Sequence, residues 1–147
     1  MGAIGGKATN GIGKSRGGWN TKIHAIVDAL GFPINIKITE GQVHDSIPAI
    51  ELMKKHTCEN VIADKAYDTN SFRRAIGASG RHAVIPAGGN RVGSIDYDRH
   101  TYKERHLVEC FFQKIKSWRR IATRYEKALY MFEGMVHLSC ILVWLVF

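Results

Sequence analysis

The chain has 147 residues, 45% of them hydrophobic, enough to bury one core and too few for two ordinary domains. Lysine and arginine number 21 against 13 acidic residues, a formal net charge of +8, which points to a polyanionic partner, nucleic acid first. Cys58, Cys110 and Cys140 are odd in number, far apart and without a C-x-x-C pair, so neither a disulfide framework nor a zinc site is suggested, and a reducing cytosol fits.

Residues 1–18 hold seven of the fifteen glycines together with Lys7, Lys14 and Arg16, and are expected to form a flexible basic arm ahead of one domain over 19–147. The first residues lack the apolar run of a signal peptide, and Gly6 stands where a myristoylation motif wants Ser or Thr. "ATNGIGKS" approaches a phosphate-binding loop, but Ala8 replaces the first glycine and no buried strand precedes it, so no nucleotide site is expected. Order is expected from about Trp19. Two β-rich runs, Lys22 to Asp28 and Ile34 to Thr39, flank a Gly-Phe-Pro turn and read as a hairpin. "DSIPAIELMKKH" reads as a helix with Asp45 or Ser46 as N-cap and Pro48 in its first turn. A short strand, Val61 to Ala63, ends at the charged Asp64; "SFRRAIGAS" follows as a short helix and "HAVIPAG" as another strand. Gly88 to His100 is a polar loop, then a helix runs from Tyr102 to about Ala122 and another over Glu126 to Phe147. The last contains "HLSCILVWLVF", expected to be a buried terminal helix too short to cross a bilayer. The order is that of an α/β protein.

Several residues stand out against this frame. Asp64 follows three apolar strand residues, at the carboxyl end of a strand where open α/β sheets place their ligands, although a simple turn or cap is the competing reading. His24, His44 and His137 are isolated and read as structural rather than metal-binding. "KSRGGWNTK", with Arg16 and Lys22, interleaves cations, an aromatic and small residues in a way that suits close approach to phosphates. In "YKERHLVECFFQKIK", with Tyr102 as zero and 100° per residue, Arg105 falls at roughly −60°, Glu109 at roughly −20° and Lys116 at roughly −40°. Leu107, Phe111, Ile115 and Trp118 occupy the opposite half, with Val108 and Phe112, at roughly −120° and −80°, on its flank. The bland reading is a solvated polar face over an apolar one.

Tyr102, two residues, Arg105, three residues, Glu109, six residues, Lys116 is the Y-(2)-R-(3)-E-(6)-K spacing, and on it the chain resembles bacterial insertion-sequence transposases of the DDE class. "SRGGWNTKIHAIVDALGFPI", "GQVHDS" and "VIADKAYD" resemble further segments of that family in the same order, covering Ser15 to Phe147. The resemblance implies a ribonuclease H-like mixed sheet flanked by helices. It implies three acids holding two divalent ions, Mg²⁺ or Mn²⁺, which drive metal-dependent DNA strand cleavage and strand transfer. On matching positions Asp64 is the second acid and Glu109 the third, Arg105 and Lys116 grip phosphates, and Tyr102 stacks on a base or orders the strand end. The implied partners are DNA, as transposon ends and target, and further copies of the protein in a homo-oligomer. The implied setting is the bacterial cytoplasm, nucleoid-associated on DNA, with no membrane.

The family's first acid lies on the first core strand, upstream of the glycine-rich segment, and no residue here matches it; nothing in the spacing of Asp28 marks it as a substitute. The fold is therefore expected to lack its first core strand. An upstream-frame polypeptide or full-length transposase would supply the strand and the acid, and the chain alone would be inactive. The alternatives are a catalytically inactive DNA-binding regulator, a truncated remnant, or an unrelated ribonuclease H-like nuclease, which would need an acid on a first strand.

Overall fold

The computed structural model describes residues 10–146. Ordered structure begins earlier than expected, at β1 (Gly13–Ser15), which turns through Arg16 and Gly17 into β2 (Gly18–Val27). This corrects the expectation of a flexible arm for its final residues; residues 1–9 of that arm lie outside the described residues. Local polar contacts, invisible to composition, fix the early hairpin. The Ser15 hydroxyl donates to the Gly18 carbonyl and accepts from the Asn20 amide, the Thr21 hydroxyl donates to the Gly11 carbonyl, and the Arg124 guanidinium donates to the Asn10 carbonyl. Gly18 turns at φ 102°, a backbone region that disfavours any Cβ.

β2 pairs antiparallel with β3 (Pro33–Glu40), setting Ile23 against Ile38 and Ala25 against Ile36. The connecting turn explains Asp28: its carboxylate accepts from the Leu30 and Phe32 amides, both at 2.9 Å, while Gly31 takes φ 85°. Asp28 is thus a turn residue with its oxygen committed. After α1 (Ser46–Lys54), β4 (Asn60–Ile62), α2 (Asn70–Ala78) and β5 (His82–Val84) form a β-α-β unit whose strands are parallel, Val61 opposite Ala83. Thr69 caps α2 by accepting from the Phe72 amide. Asp45 stands at the N-cap position of α1 but its side chain does not cap.

The expected single helix from Tyr102 to Ala122 is divided. α3 (Arg99–Tyr102), capped by Asp98, passes through a tighter 3₁₀ turn, Lys103–Arg105, into α4 (His106–Lys116). Trp118 then adopts an extended conformation, ψ 117°, before α5 (Arg119–Ala122). α6 (Leu129–Val146) ends the described chain.

Two cores result. Phe111 and Ile115 of α4, Ile121 of α5 and Phe132, Val136 and Val143 of α6 pack on the β2–β3 hairpin around Ile38. Met53, Phe72, Ile76 and Ile85 form a second cluster among α1, α2, β4 and β5. The strands are divided likewise, into a β1-β2-β3 sheet and a β4-β5 pair. Among the described residues, β2 has β3 as its single strand partner over Lys22–Val27, and β4 pairs only with β5. The mixed α/β architecture agrees with the sequence reading.

The final helix departs from expectation. Its Phe132, Val136, Ser139 and Val143 are buried, but Leu138, Ile141, Trp144 and Leu145 are exposed. At 18 residues it is also long and apolar enough, by length and composition, to cross a bilayer, which the shorter apolar run had not suggested. Its buried stripe is nonetheless part of the core under the hairpin.

Candidate active site

β4 delivers Asp64. The chain leaves the strand extended, and Asp64 at φ −70° and ψ 161° precedes the 3₁₀ turn Lys65–Tyr67, yet its carboxylate makes no capping bond. Asp64 thus stands at a turn without capping it by its side chain, which is 49% exposed. α4 delivers Glu109, 53% exposed, in its first turn. Arg105 joins them: its Nη1 lies 2.7 Å from Glu109 Oε1 and 3.9 Å from Asp64 Oδ2. Those two contacts, laid end to end, bound the separation between the carboxylates. The hydrogen bond to Glu109 raises the Arg105 pKa further, so the guanidinium stays charged.

The same guanidinium lies 5.8 Å from the centre of the Tyr102 ring, which meets Tyr97 edge-on. A 3₁₀ turn has three residues per turn, so residues i and i+3 eclipse, and the break from ideal α geometry keeps Tyr102 and Arg105 on one face. Burial raises the Tyr102 pKa against the opposing pull of Arg105, so the phenol stays neutral.

The remaining predicted residues are placed less uniformly. Lys116 sits over the Phe112 ring at 5.8 Å and lines a cleft of about 730 Å³. This cleft runs along Trp19 to His24 of β2 and is closed by Asp45, Tyr67 and residues of α4 and α5. Lys22 lines it too, but its ammonium donates to Asp45 Oδ1 and the Val43 carbonyl, both at 2.8 Å, which neutralises much of its charge locally. Arg16 stands exposed at the β1–β2 turn. Tyr67, pushed up to about 12 by burial and then by the charges of Asp45 and Asp64, remains a neutral phenol between those acids. The three histidines are engaged structurally. His24 shares a 2.8 Å hydrogen bond with Thr39 and burial lowers its pKa, His44 pairs with Ser46, and His137 with the Glu133 carbonyl.

Sequence reasoning passed over Asp68. Asp68, four residues beyond Asp64, has a side chain 1% exposed, with Arg73 Nε at 2.5 Å, Arg91 Nε at 2.7 Å and the Gly88 amide at 2.7 Å. Burial pushes its carboxyl up, but the bonds from Arg91, Gly88 and Arg73 outweigh that and hold the pKa far below the carboxylate range. No periodicity links these positions; only an acid beside two separated arginines hinted at it. Trp19, the aromatic of the basic segment read from the sequence, is 73% exposed and lines the cleft.

Hard oxygen donors set half-open around one cation suit a divalent metal, yet no group of three or more His, Cys, Asp or Glu side chains converges among the described residues. Asp64 and Glu109 therefore fit such an ion as a partial set.

Residues 4–144 match the family model described as "Transposase DDE domain". The chain is 44% identical to a protein of Brucella ovis named as a transposase for insertion sequence element IS6501, over 85% of this chain and 98% of that one. It is 27% identical to one of Burkholderia cepacia named for insertion sequence element IS402, over 84% of this chain but 62% of that relative. No solved structure matches the chain. An acid at a strand end, a second acid on the Tyr-Arg-Glu-Lys helix and a family match over nearly the whole length converge: the chain belongs to the DDE transposase family of bacterial insertion sequences, and its function is DNA transposition.

Proposed function

We propose that this chain is the larger part of a ribonuclease H-like catalytic domain that cleaves and transfers DNA strands once a first core strand bearing a third acid joins it. The observation that carries the reading is the convergence of Asp64 and Glu109 on Arg105. DDE transposases use divalent metal ions. Asp64 and Glu109 would hold Mg²⁺ or Mn²⁺, two ions in the complete site, and the metal, when bound, activates the attacking oxygen and stabilises the leaving one. Arg105, released from the carboxylates, and Lys116 bind phosphates beside the reacting bond, Tyr102 supports the strand end, and Arg16 and Lys22 contact the flanking backbone. The basic net charge favours salt-sensitive DNA contacts.

Support for a missing strand comes from three features that coincide. Among the described residues β2 lacks a second strand partner over Lys22–Val27 and β4 lacks one opposite β5, and a cleft runs beside β2. The division into two cores falls at the same place. A strand laid there would join the two sheets and cover edges that otherwise invite aggregation. Its source would be an upstream-frame polypeptide or a full-length transposase, and the active form would be a homo-oligomer on transposon ends and target DNA.

The test incubates supercoiled plasmid bearing element ends with Mg²⁺ or Mn²⁺ and either this chain or one extended upstream through the family's first acid. Nicking and joining are expected from the extended chain alone, and both are expected to vanish in its Asp64→Ala and Glu109→Ala forms. Full activity in either variant would remove these acids from the chemistry.

A further inference from the structure

The exposed face of α6 carries a repeat that the catalytic reading leaves unused. Met131, Gly134, Leu138, Ile141 and Leu145 follow one another at spacings of three, four, three and four residues and are all exposed. This is the a/d seam of a coiled coil, on the side of the helix away from its core stripe. No Asp, Glu, Lys or Arg interrupts it. With Trp144 beside them, the four apolar side chains are between 51% and 75% exposed. Together they present on the order of 600 Å² of mostly apolar surface, at the upper limit of the largest patch on an ordinary monomer. That is most of the roughly 800 Å² that each partner gives to a standard interface.

We propose that this seam is a dimer interface at which α6 packs antiparallel against α6 of a second copy. Self-association is favoured over other occupants because the seam is complementary to itself. In an antiparallel pair an a position faces a d position, so Leu138 meets Ile141 and the notch at Gly134 receives Leu145. A Cβ added at Gly134 would meet nothing within 4 Å in the single chain, so the space there is open to a partner. Opposed helix dipoles also favour this direction. A bilayer is the competing apolar phase, but inserting α6 would withdraw Phe132, Val136 and Val143 from the core under the hairpin. The interface is independent of whether Asp64 and Glu109 bind metal, and its test reads no catalysis.

Sedimentation equilibrium of the full chain tests it, with Leu138→Glu and Ile141→Glu as disrupting variants and Ile47→Glu, an exposed residue on α1, as the control. The wild type and Ile47→Glu are expected to form a reversible dimer. Each seam variant is expected to raise its dissociation constant by roughly thirtyfold or more, the scale of a central apolar anchor. Gly134→Leu separates association from helix stability. Leucine is the better helix former and should raise the melting temperature of the monomer, yet it fills the notch and should weaken the dimer. The proposal is overturned by a wild-type monomer at the highest soluble concentration or by association that survives both glutamates. A dimer that Gly134→Leu strengthens would also overturn it, as would flotation with phospholipid vesicles that the glutamates abolish.

Discussion

Two acid–arginine clusters sit four residues apart on the same excursion from β4, built from the same side chains and serving opposite ends. Asp68 has a side chain 1% exposed and accepts from two arginines and an amide at 2.5 to 2.7 Å. Asp64 is 49% exposed and meets its arginine only at 3.9 Å. A carboxylate has about four acceptor positions. Asp68 fills three with protein donors and is finished, pinning the 3₁₀ turn to α2 and to the loop at Gly88, whereas Asp64 keeps its positions open. Hydrogen-bond saturation, more than residue type or neighbouring charge, separates an acid that holds the fold from one free to hold a ligand.

The largest expected effect tests the saturated side. Asp68→Asn leaves Arg73 and Arg91, themselves 18% and 25% exposed, without their counter-charge, and breaking a buried pair in this way costs about 3 kcal/mol. Asp64→Asn removes no capping bond and is expected within about 0.5 kcal/mol of the wild type. Urea unfolding followed by circular dichroism measures both, and equal losses would break the contrast. The pH dependence sharpens it. The folded Asp68 pKa lies below its unfolded value near 3.8, so the folded state binds fewer protons. The stability this gives is complete above about pH 4 and is lost as pH falls further. Asp68→Asn should remove that part of the acid slope while Asp64→Asn leaves it intact.

The unequal legibility of the two clusters in the sequence has a physical cause. Arg105 and Glu109 were expected on one face because a helix converts spacing into a shared side, and they meet at 2.7 Å. Lys116, expected there too, sits instead over Phe112 and lines the cleft. The charge of Asp64 marked the end of an apolar strand, and the site roles of all four rested on the family resemblance. Most elements were readable for the same periodic reasons, including the β2–β3 hairpin and the β4-α2-β5 unit. Asp68 was not, because Arg91 reaches it from a loop twenty-three residues away through contacts without a period. β1 was missed because glycine-rich composition resembles disorder until Ser15, Thr21 and Arg124 supply hydrogen bonds. The commitment of Lys22 to Asp45 and of Asp28 to its own turn are likewise contacts that no one-dimensional pattern carries.

The open side of the comparison should respond to metal. Mn²⁺ binding, followed by the electron paramagnetic resonance of the free ion, is expected to weaken roughly tenfold in Asp64→Asn or Glu109→Gln, as on loss of a metal-ordering partner. In Asp68→Asn it should change little wherever the protein is folded. Equal affinity in all four proteins would mean that the open carboxylates are not the metal ligands.

The smallest effect discriminates most finely, because it concerns the cation already lying between the open acids. Arg105 Nη1 contacts both Glu109 and Asp64, so a divalent ion must compete with a resident positive charge before it can share those oxygens. At the half-exposed carboxylates the dielectric is close to that of water, where one unit charge at 4 Å is worth about 1 kcal/mol. Arg105→Gln, which keeps the length and a donor but removes the charge, should therefore raise Mn²⁺ affinity about fivefold. Stability should change by no more than about 0.5 kcal/mol, the worth of an exposed i,i+4 pair. DNA affinity should move the opposite way, since the same guanidinium is the proposed phosphate contact, with a shallower dependence on salt. Tighter metal with weaker DNA would establish Arg105 as a residue exchanged between the acids and the substrate. A loss of both would mean that it instead holds Asp64 and Glu109 in position, and Arg105→Lys, which restores charge without the planar fork, would then restore metal binding only in part.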